Sequence, residues 1–239
     1  MIDTTSPKGK LIAASLKLAA TRPWRDVTLL EIADAAGMPL DEVRRTFGSK
    51  SKILAGFMRL VDDAVLKKAP TKIADGQRRD ALFEVIMSRF DVLAPYKVAL
   101  RSIAKAGRPD ASLLMPYLNA QRWMLTAAGI DGDGPSGLVR VGGLGSIYAS
   151  VFQTWLDDDD AGSARTMAAL DRRLRRGESA IRAFDDTVAG ATRLATDLPN
   201  VLSETLGRIF KPRPHATDAP SAGSAPASPE TPLSAKPFV

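Results

Sequence analysis

The sequence predicts an all-α protein: a three-helix helix-turn-helix head, a larger helical-bundle body and a disordered C-terminal tail. Three observations carry that prediction. Alanine and leucine dominate an apolar content of 45%, while aromatics are only 6% of the 239 residues. That balance favours helices over sheets. Apolar residues recur at helical spacing along most of the chain, with no alternating strand pattern and no internal repeat. Residues 211–239, KPRPHATDAPSAGSAPASPETPLSAKPFV, are rich in Pro, Ala and Ser and poor in large apolar groups. Such a stretch buries too little surface to offset its ordering entropy. The boundaries are 5–65 for the head, 70–210 for the body and 211–239 for the tail.

The first helix is expected over 7–21, with Leu11, Ile12, Leu16, Leu18 and Ala19 at core spacing and Pro23 ending it. Thr28 can N-cap a second helix, with Glu31 three residues on completing a capping box. Gly37 closes that helix, because glycine enters the left-handed region at little cost. Pro39 suits the first turn of a third helix running to about Phe47, where a missing N–H is harmless. Ser49 caps a long fourth helix that stops before Pro70.

The body continues with helices over 73–93, 96–106 and 112–128, a GDGPSG loop at 132–137, and a nearly all-apolar helix over 138–156. An acidic turn at 157–160 precedes a helix over 164–184. Met167, Leu170, Leu174 and Ile181 mark the apolar face of that helix, and the RRLRR run at 172–176 reads as its solvated face. The four aspartates favour a helix start. Consecutive acids in a turn point apart, so they do not read as a cation site.

Within the second and third helices, Ile32, Ala33, Ala36, Val43 and Phe47 turn inward. That leaves Leu40, Asp41, Arg44 and Arg45 facing out, with Lys50 at the start of the fourth helix beside N–H groups that suit a phosphate. The segments LIAASLKLAATRPWRDVTLLEIADAAGM, Val43, Phe47, Ser49–Lys50 and Ile53–Leu54 resemble the N-terminal domain of TetR-family transcriptional regulators. The resemblance covers about residues 8 to 58. It implies a DNA-binding head, a body that dimerises and often holds a small apolar effector, and two heads reading a pseudo-palindrome in double-stranded DNA. The DNA-facing candidates are then Thr28, Pro39, Leu40, Asp41, Glu42, Arg44, Arg45 and Lys50.

Three positions depart from the family pattern. Arg44 stands where the family usually has a phosphate-touching tyrosine, and Asp41 and Glu42 stand where small or polar residues are usual. An acid there stabilises the helix start and can accept from a cytosine amino group, yet it repels phosphate.

The body sets up an alternative. RRDALFEVIMSRFDVLAPYKVALRSIA and VFQTWLDDDDAGSARTMAALDRRLRRGE loosely resemble the body of ubiquinone-biosynthesis accessory proteins of TetR-type fold. Those bind lipid and touch membranes through a C-terminal amphipathic helix. Val201, Leu202, Leu206, Ile209 and Phe210, followed by Lys211 and Arg213, fit such a peripheral contact through 198–213. Docking on the body or on a second subunit is the competing explanation of the same stripe.

The net charge is +6, and residues 1–68 hold 12 Lys/Arg against 8 Asp/Glu, a mild bias towards a polyanion partner. There is no cysteine and one histidine, His215 in the tail. No thiolate, His-pair metal site or Ser-His arrangement can be assembled. GGLGS at 142–146 follows no strand and lacks a Gly-Lys-Ser/Thr, so close helix packing explains its glycines better than phosphate binding. The reading is a non-enzymatic, cofactor-free cytoplasmic protein, with no secretory leader and no membrane-spanning run.

Overall fold

A computed structural model describes residues 2–187 apart from 71, 75, 108 and 109. Among these residues only helices, turns and loops occur. The helices are α1 (Pro7–Thr21), α2 (Leu29–Ala36), α3 (Leu40–Thr46), α4 (Lys50–Leu66), α5 (Arg78–Leu93), α6 (Lys97–Ala104), α7 (Leu114–Ala127), α8 (Gly134–Leu156) and α9 (Ala164–Thr187). Short 3₁₀ turns precede α2, α6 and α7. The amphipathic stripe at 198–213 and the tail expected from residue 211 lie outside the described residues.

Local chemistry accounts for the boundaries of the head. Ser6 accepts from Gly9 N to start α1. Thr28 and Glu31 form the reciprocal capping box that starts α2. Gly37 ends α2 in the left-handed region at φ 62°. Ser49 accepts from Lys52 N at 3.2 Å to start α4. Pro39 takes the cap position, one residue ahead of the expected first turn, with Leu40 the first helical residue.

Two body boundaries and one buried face differ from expectation. The 73–93 helix starts at Arg78, because Gly76 holds φ 85°, outside the helical region. The expected 132–137 loop is half helix: α8 begins at Gly134, with Pro135 in its first turn. Met167, expected on the apolar face of α9, is 38% exposed, while Leu170 and Leu174 of that helix are buried.

One core runs through the described residues. Leu11, Ile12, Ile32, Val43, Ile53 and Phe57 fill its head end. In the body, α5 packs on α4, α7 and α9, and α8 packs on α7 and α9. The aromatic rings of Phe90, Tyr148, Phe152 and Trp155 stack at 5.3–6.0 Å between centroids.

A buried ion pair sits beside this stack: Arg89 of α5 donates to Asp62 of α4, and its Nε donates to Tyr148 Oη at 3.1 Å. Burial pushes the Asp62 carboxyl up and Arg89 pulls it back down. Burial also pushes the Tyr148 hydroxyl up, so tyrosine stays protonated.

Head and body are joined in two ways. Helix α4 is continuous from Lys50 to Asp62, and Asp62 pairs with Arg89 of the body helix α5. Helix α6 packs along α1, and Ser102 Oγ accepts from Trp24 N at 2.9 Å while donating to Arg22 O at 3.0 Å. The other face of α6 grips the end of α8. Arg101 donates to Leu156 O at 2.5 Å and pairs with Asp159, while Lys97 donates to Asp158 O.

The acidic turn has a structural task at the start of α9. Asp158 accepts from Thr166 N at 2.9 Å and Thr166 Oγ1 at 2.7 Å. Asp160 accepts from Ala164 N at 3.0 Å. Unpaired N–H groups of a helix start thus meet carboxylates.

Candidate nucleic-acid interface

The candidate surface is built by α2, α3 and the start of α4. Ile32 and Ala33 on α2 and Val43 on α3 are buried, which fixes the two short helices against α1 and against each other. Ala36 and Phe47, expected inside, are half-buried. Pro39, Leu40, Asp41, Arg44 and Arg45 are exposed and Glu42 is half-buried. Leu40 shows 53% of its surface.

Asp41 does not stand alone on this surface. Asp41 Oδ2 lies 2.8 Å from Arg45 Nη2, one turn along the helix. Both side chains are more than half exposed, so the pair adds only a few tenths of a kcal/mol. Its effect is on the local field: the carboxylate that would repel a phosphate is matched by a guanidinium. No ion pair or hydrogen bond to Arg44 is found among the described residues.

Lys50 is placed differently from its neighbours. Its ammonium donates to Trp24 O at 2.7 Å and to Val27 O at 2.5 Å, and it lies 4.3 Å from the centroid of the Trp24 ring. It therefore ties the start of α4 to the turn between α1 and α2. Burial lowers its pKa, which the charges of Asp26 and Glu31 partly oppose. An ammonium has three N–H donors. With two in use, at most one is left for a phosphate.

Thr28 is held inside its capping box. Its N and Oγ1 each donate to Glu31 Oε2 at 2.8 Å, and Arg22 Nη2 lies 2.5 Å from the same oxygen. The Arg22 guanidinium, with the two Thr28 donors, holds the Glu31 carboxyl down at about 2.

The comparisons with known proteins fit this geometry. No protein-family model and no curated protein matches the chain. Solved structures do match. A TetR transcriptional regulator from Nitrosomonas europaea ATCC 19718 has a TM-score of 0.58 at 22% identity, covering 72% of this chain and 98% of that one. A TetR transcriptional regulator from Rhodococcus sp. RHA1 has a TM-score of 0.52 at 18% identity, covering 69% of this chain and 93% of that one. The chain has the TetR-type fold.

In that TetR-type head, Pro39, Leu40, Asp41, Arg44 and Arg45 share one exposed element. Thr28 and Lys50 sit on its margins with their polar atoms engaged in the fold. Sequence reasoning did not find the carbonyl pair under Lys50, the Ser102 bridge or the Arg89–Asp62–Tyr148 cluster. Among the large apolar side chains that the TetR-type body exposes are Trp123 of α7 and Leu138 of the nearly all-apolar run, each at 53%. The glycines of GGLGS divide. A Cβ on Gly145 would lie 3.2 Å from the Tyr117 ring, so that one does pack closely. At Gly142 and Gly143 a Cβ would meet nothing within 4 Å.

Proposed function

We propose that the chain is a DNA-binding transcriptional regulator: a cytoplasmic homodimer that represses from a pseudo-palindromic operator and responds to a small apolar ligand. The observation that carries this is α3, a short helix braced by Val43 that presents Leu40, the Asp41–Arg45 pair and Arg44 outward. Such a surface fits the major groove, with guanidinium groups for phosphate or guanine and an apolar side chain for a thymine methyl. Arg44 and Arg45 supply the phosphate contacts. Asp41 aims Arg45, Pro39 and Glu42 flank the groove, Thr28 presents the start of α2, and Lys50 sets the angle of the unit while offering its last donor.

Two heads require two bodies. The open side of the first half of α8, at Leu138, Gly142, Gly143 and Ser146, is the pairing face in this reading. A ligand acts by favouring one head spacing over the other. Its route to the head is mechanical, because α4 carries Asp62 and Lys50 on one rod and Ser102 bridges α6 to the turn at Arg22–Trp24. No chemical step is assigned to the protein.

The test is selection of bound duplexes from random genomic fragments at two salt concentrations. Enrichment of a pseudo-palindrome, with affinity falling steeply with salt, supports the reading. Absence of any salt-dependent duplex binding by the purified dimer would sink it.

A further inference from the structure

The RRLRR run on α9 is not used by the proposed DNA-reading surface, and its surroundings do not match a plain solvated face. A groove of about 510 Å³ lies between α8 and α9, lined by Arg165, Arg172, Arg173 and Arg176, with Thr154 of α8 and two alanines of α9. That volume is in the range of small-molecule sites. The arginines are exposed. Arg172, Arg173 and Arg176 form no ion pair among the described residues, whereas their neighbour Arg175 pairs with Asp171 at 3.0 Å.

The sequence explains the difference. A helical ion pair needs an acid three or four positions away. Arg175 has Asp171 four residues before it. Around Arg165, Arg172, Arg173 and Arg176 those positions hold Gly, Ala, Ser, Leu or another Arg, never an acid. Arg172 and Arg176 are themselves four apart, a like-charge spacing that destabilises an isolated helix. Ala168 and Ala169 fall between the guanidinium groups and leave the trough open, with Ala169 buried at its base. The nearest acid of the turn, Asp158, feels Arg165 but already accepts from Thr166 N and Oγ1. Among the described residues, then, no carboxylate pairs with Arg172, Arg173 or Arg176.

We propose that this groove binds a small soluble polyanion carrying two or more linked phosphate groups. Planar guanidinium forks match phosphate oxygens two at a time. The twelve residues from Arg165 to Arg176 span about 16 Å along the helix, so separate arginines reach successive phosphates. A single phosphate would satisfy only part of the set. The assignment does not depend on the DNA-reading role of the head, which uses other arginines.

The test is calorimetric titration of the full chain with inorganic triphosphate, with orthophosphate as comparator, at low and at physiological salt. The expected result is saturable triphosphate binding that weakens with salt, is much tighter than orthophosphate binding, and is weakened about tenfold or more by Arg172→Gln/Arg176→Gln. Arg44→Ala is expected to leave it unchanged. Because the substituted side chains are solvent-facing, unchanged helical circular dichroism certifies the fold, and Arg165→Gln serves as an independent second variant. No saturable binding, or wild-type affinity in both groove variants, overturns the proposal. Displacement of triphosphate from the Arg44→Ala protein by a random duplex at equal concentration would also overturn it, making the groove a second DNA surface.

Discussion

At the Lys50 ammonium two demands compete, and they are separable by measurement. Hydrogen bonds to a charged donor are worth about 1.5–3 kcal/mol, and this one serves Trp24 O and Val27 O with Trp24 beneath it. Lys50→Met is therefore expected to lower unfolding free energy by about 1–3 kcal/mol in urea titration. It should also weaken operator binding, through the lost brace and the lost donor. Arg44→Ala is expected to leave stability intact and to reduce the salt slope by about one unit. Equal slopes for wild type and Arg44→Ala would remove Arg44 from the phosphate contacts.

Glu31 gives a pH prediction. Its carboxyl is held at about 2 against an ordinary value of 4.5, first by Arg22 and then by the Thr28 donors. A depressed carboxylate stabilises the fold above its unfolded pKa, and that contribution is lost as pH falls through its folded one. The stability lost on acidification between about 4.5 and about 2 should thus be smaller in Glu31→Gln than in wild type. Identical acid limbs would show that the cap adds nothing. Caps of this kind were legible in the sequence because their partners are neighbours in it: Thr28 with Glu31, Ser49 with Lys52. The partners of Lys50, Arg89 and Arg101 lie between 23 and 59 positions away, and no local pattern encodes them.

Among the elements, α3 is the least self-sufficient. It spans seven residues, below the length at which an isolated helix holds in water, so packing must set its tilt. Phe47 at its end rests against Gly56 of α4, where a Cβ would come within 2.7 Å of the ring. Gly56→Ala is expected to push that ring aside, cost about 1–3 kcal/mol of stability, and weaken DNA binding by re-aiming α3 rather than by removing charge. Its salt slope should stay that of the wild type. Adding Phe47→Leu should recover part of both losses, and failure of that rescue would place the damage elsewhere than at the ring.

The boundary errors have the same origin as the successes. Periodicity placed α1 and the ends of the head helices, but it overran at Gly76, where a positive φ breaks the helix. It also stopped short of Gly134, where a Gly-Pro pair that reads as a loop opens α8 instead. Local composition cannot tell whether a glycine terminates a helix or sits in its first turn; the packing around it decides.

On the scale of the whole molecule, the open flank of α8 sets the last prediction. The nearly all-apolar run over 138–156 predicts burial on most sides. Instead Val141, Leu144, Tyr148 and Trp155 turn inward, while Leu138, Gly143 and Ser146 are exposed. The sequence could not separate these two groups, since both are apolar or small and only the position of α7 and α9 distinguishes them. Small residues allow helix backbones to approach, and an exposed leucine beside them gives a second copy apolar area to cover. In the proposed dimer, Gly143→Glu would place a charge at that seam.

The substitution should leave the monomer folded, because a Cβ at Gly143 meets nothing within 4 Å. Light scattering should then show a shift from dimer to monomer. Operator affinity should fall by about 10²–10⁴, because a single head loses the avidity of two linked half-sites, while contacts to one half-site persist. A protein that stays dimeric with full operator affinity would exclude α8 as the seam. The exposed Trp123 on α7 would then be the place to look for the covering surface, since among the described residues of the body it joins Val98 and Met115 as a large apolar side chain more than half open to solvent.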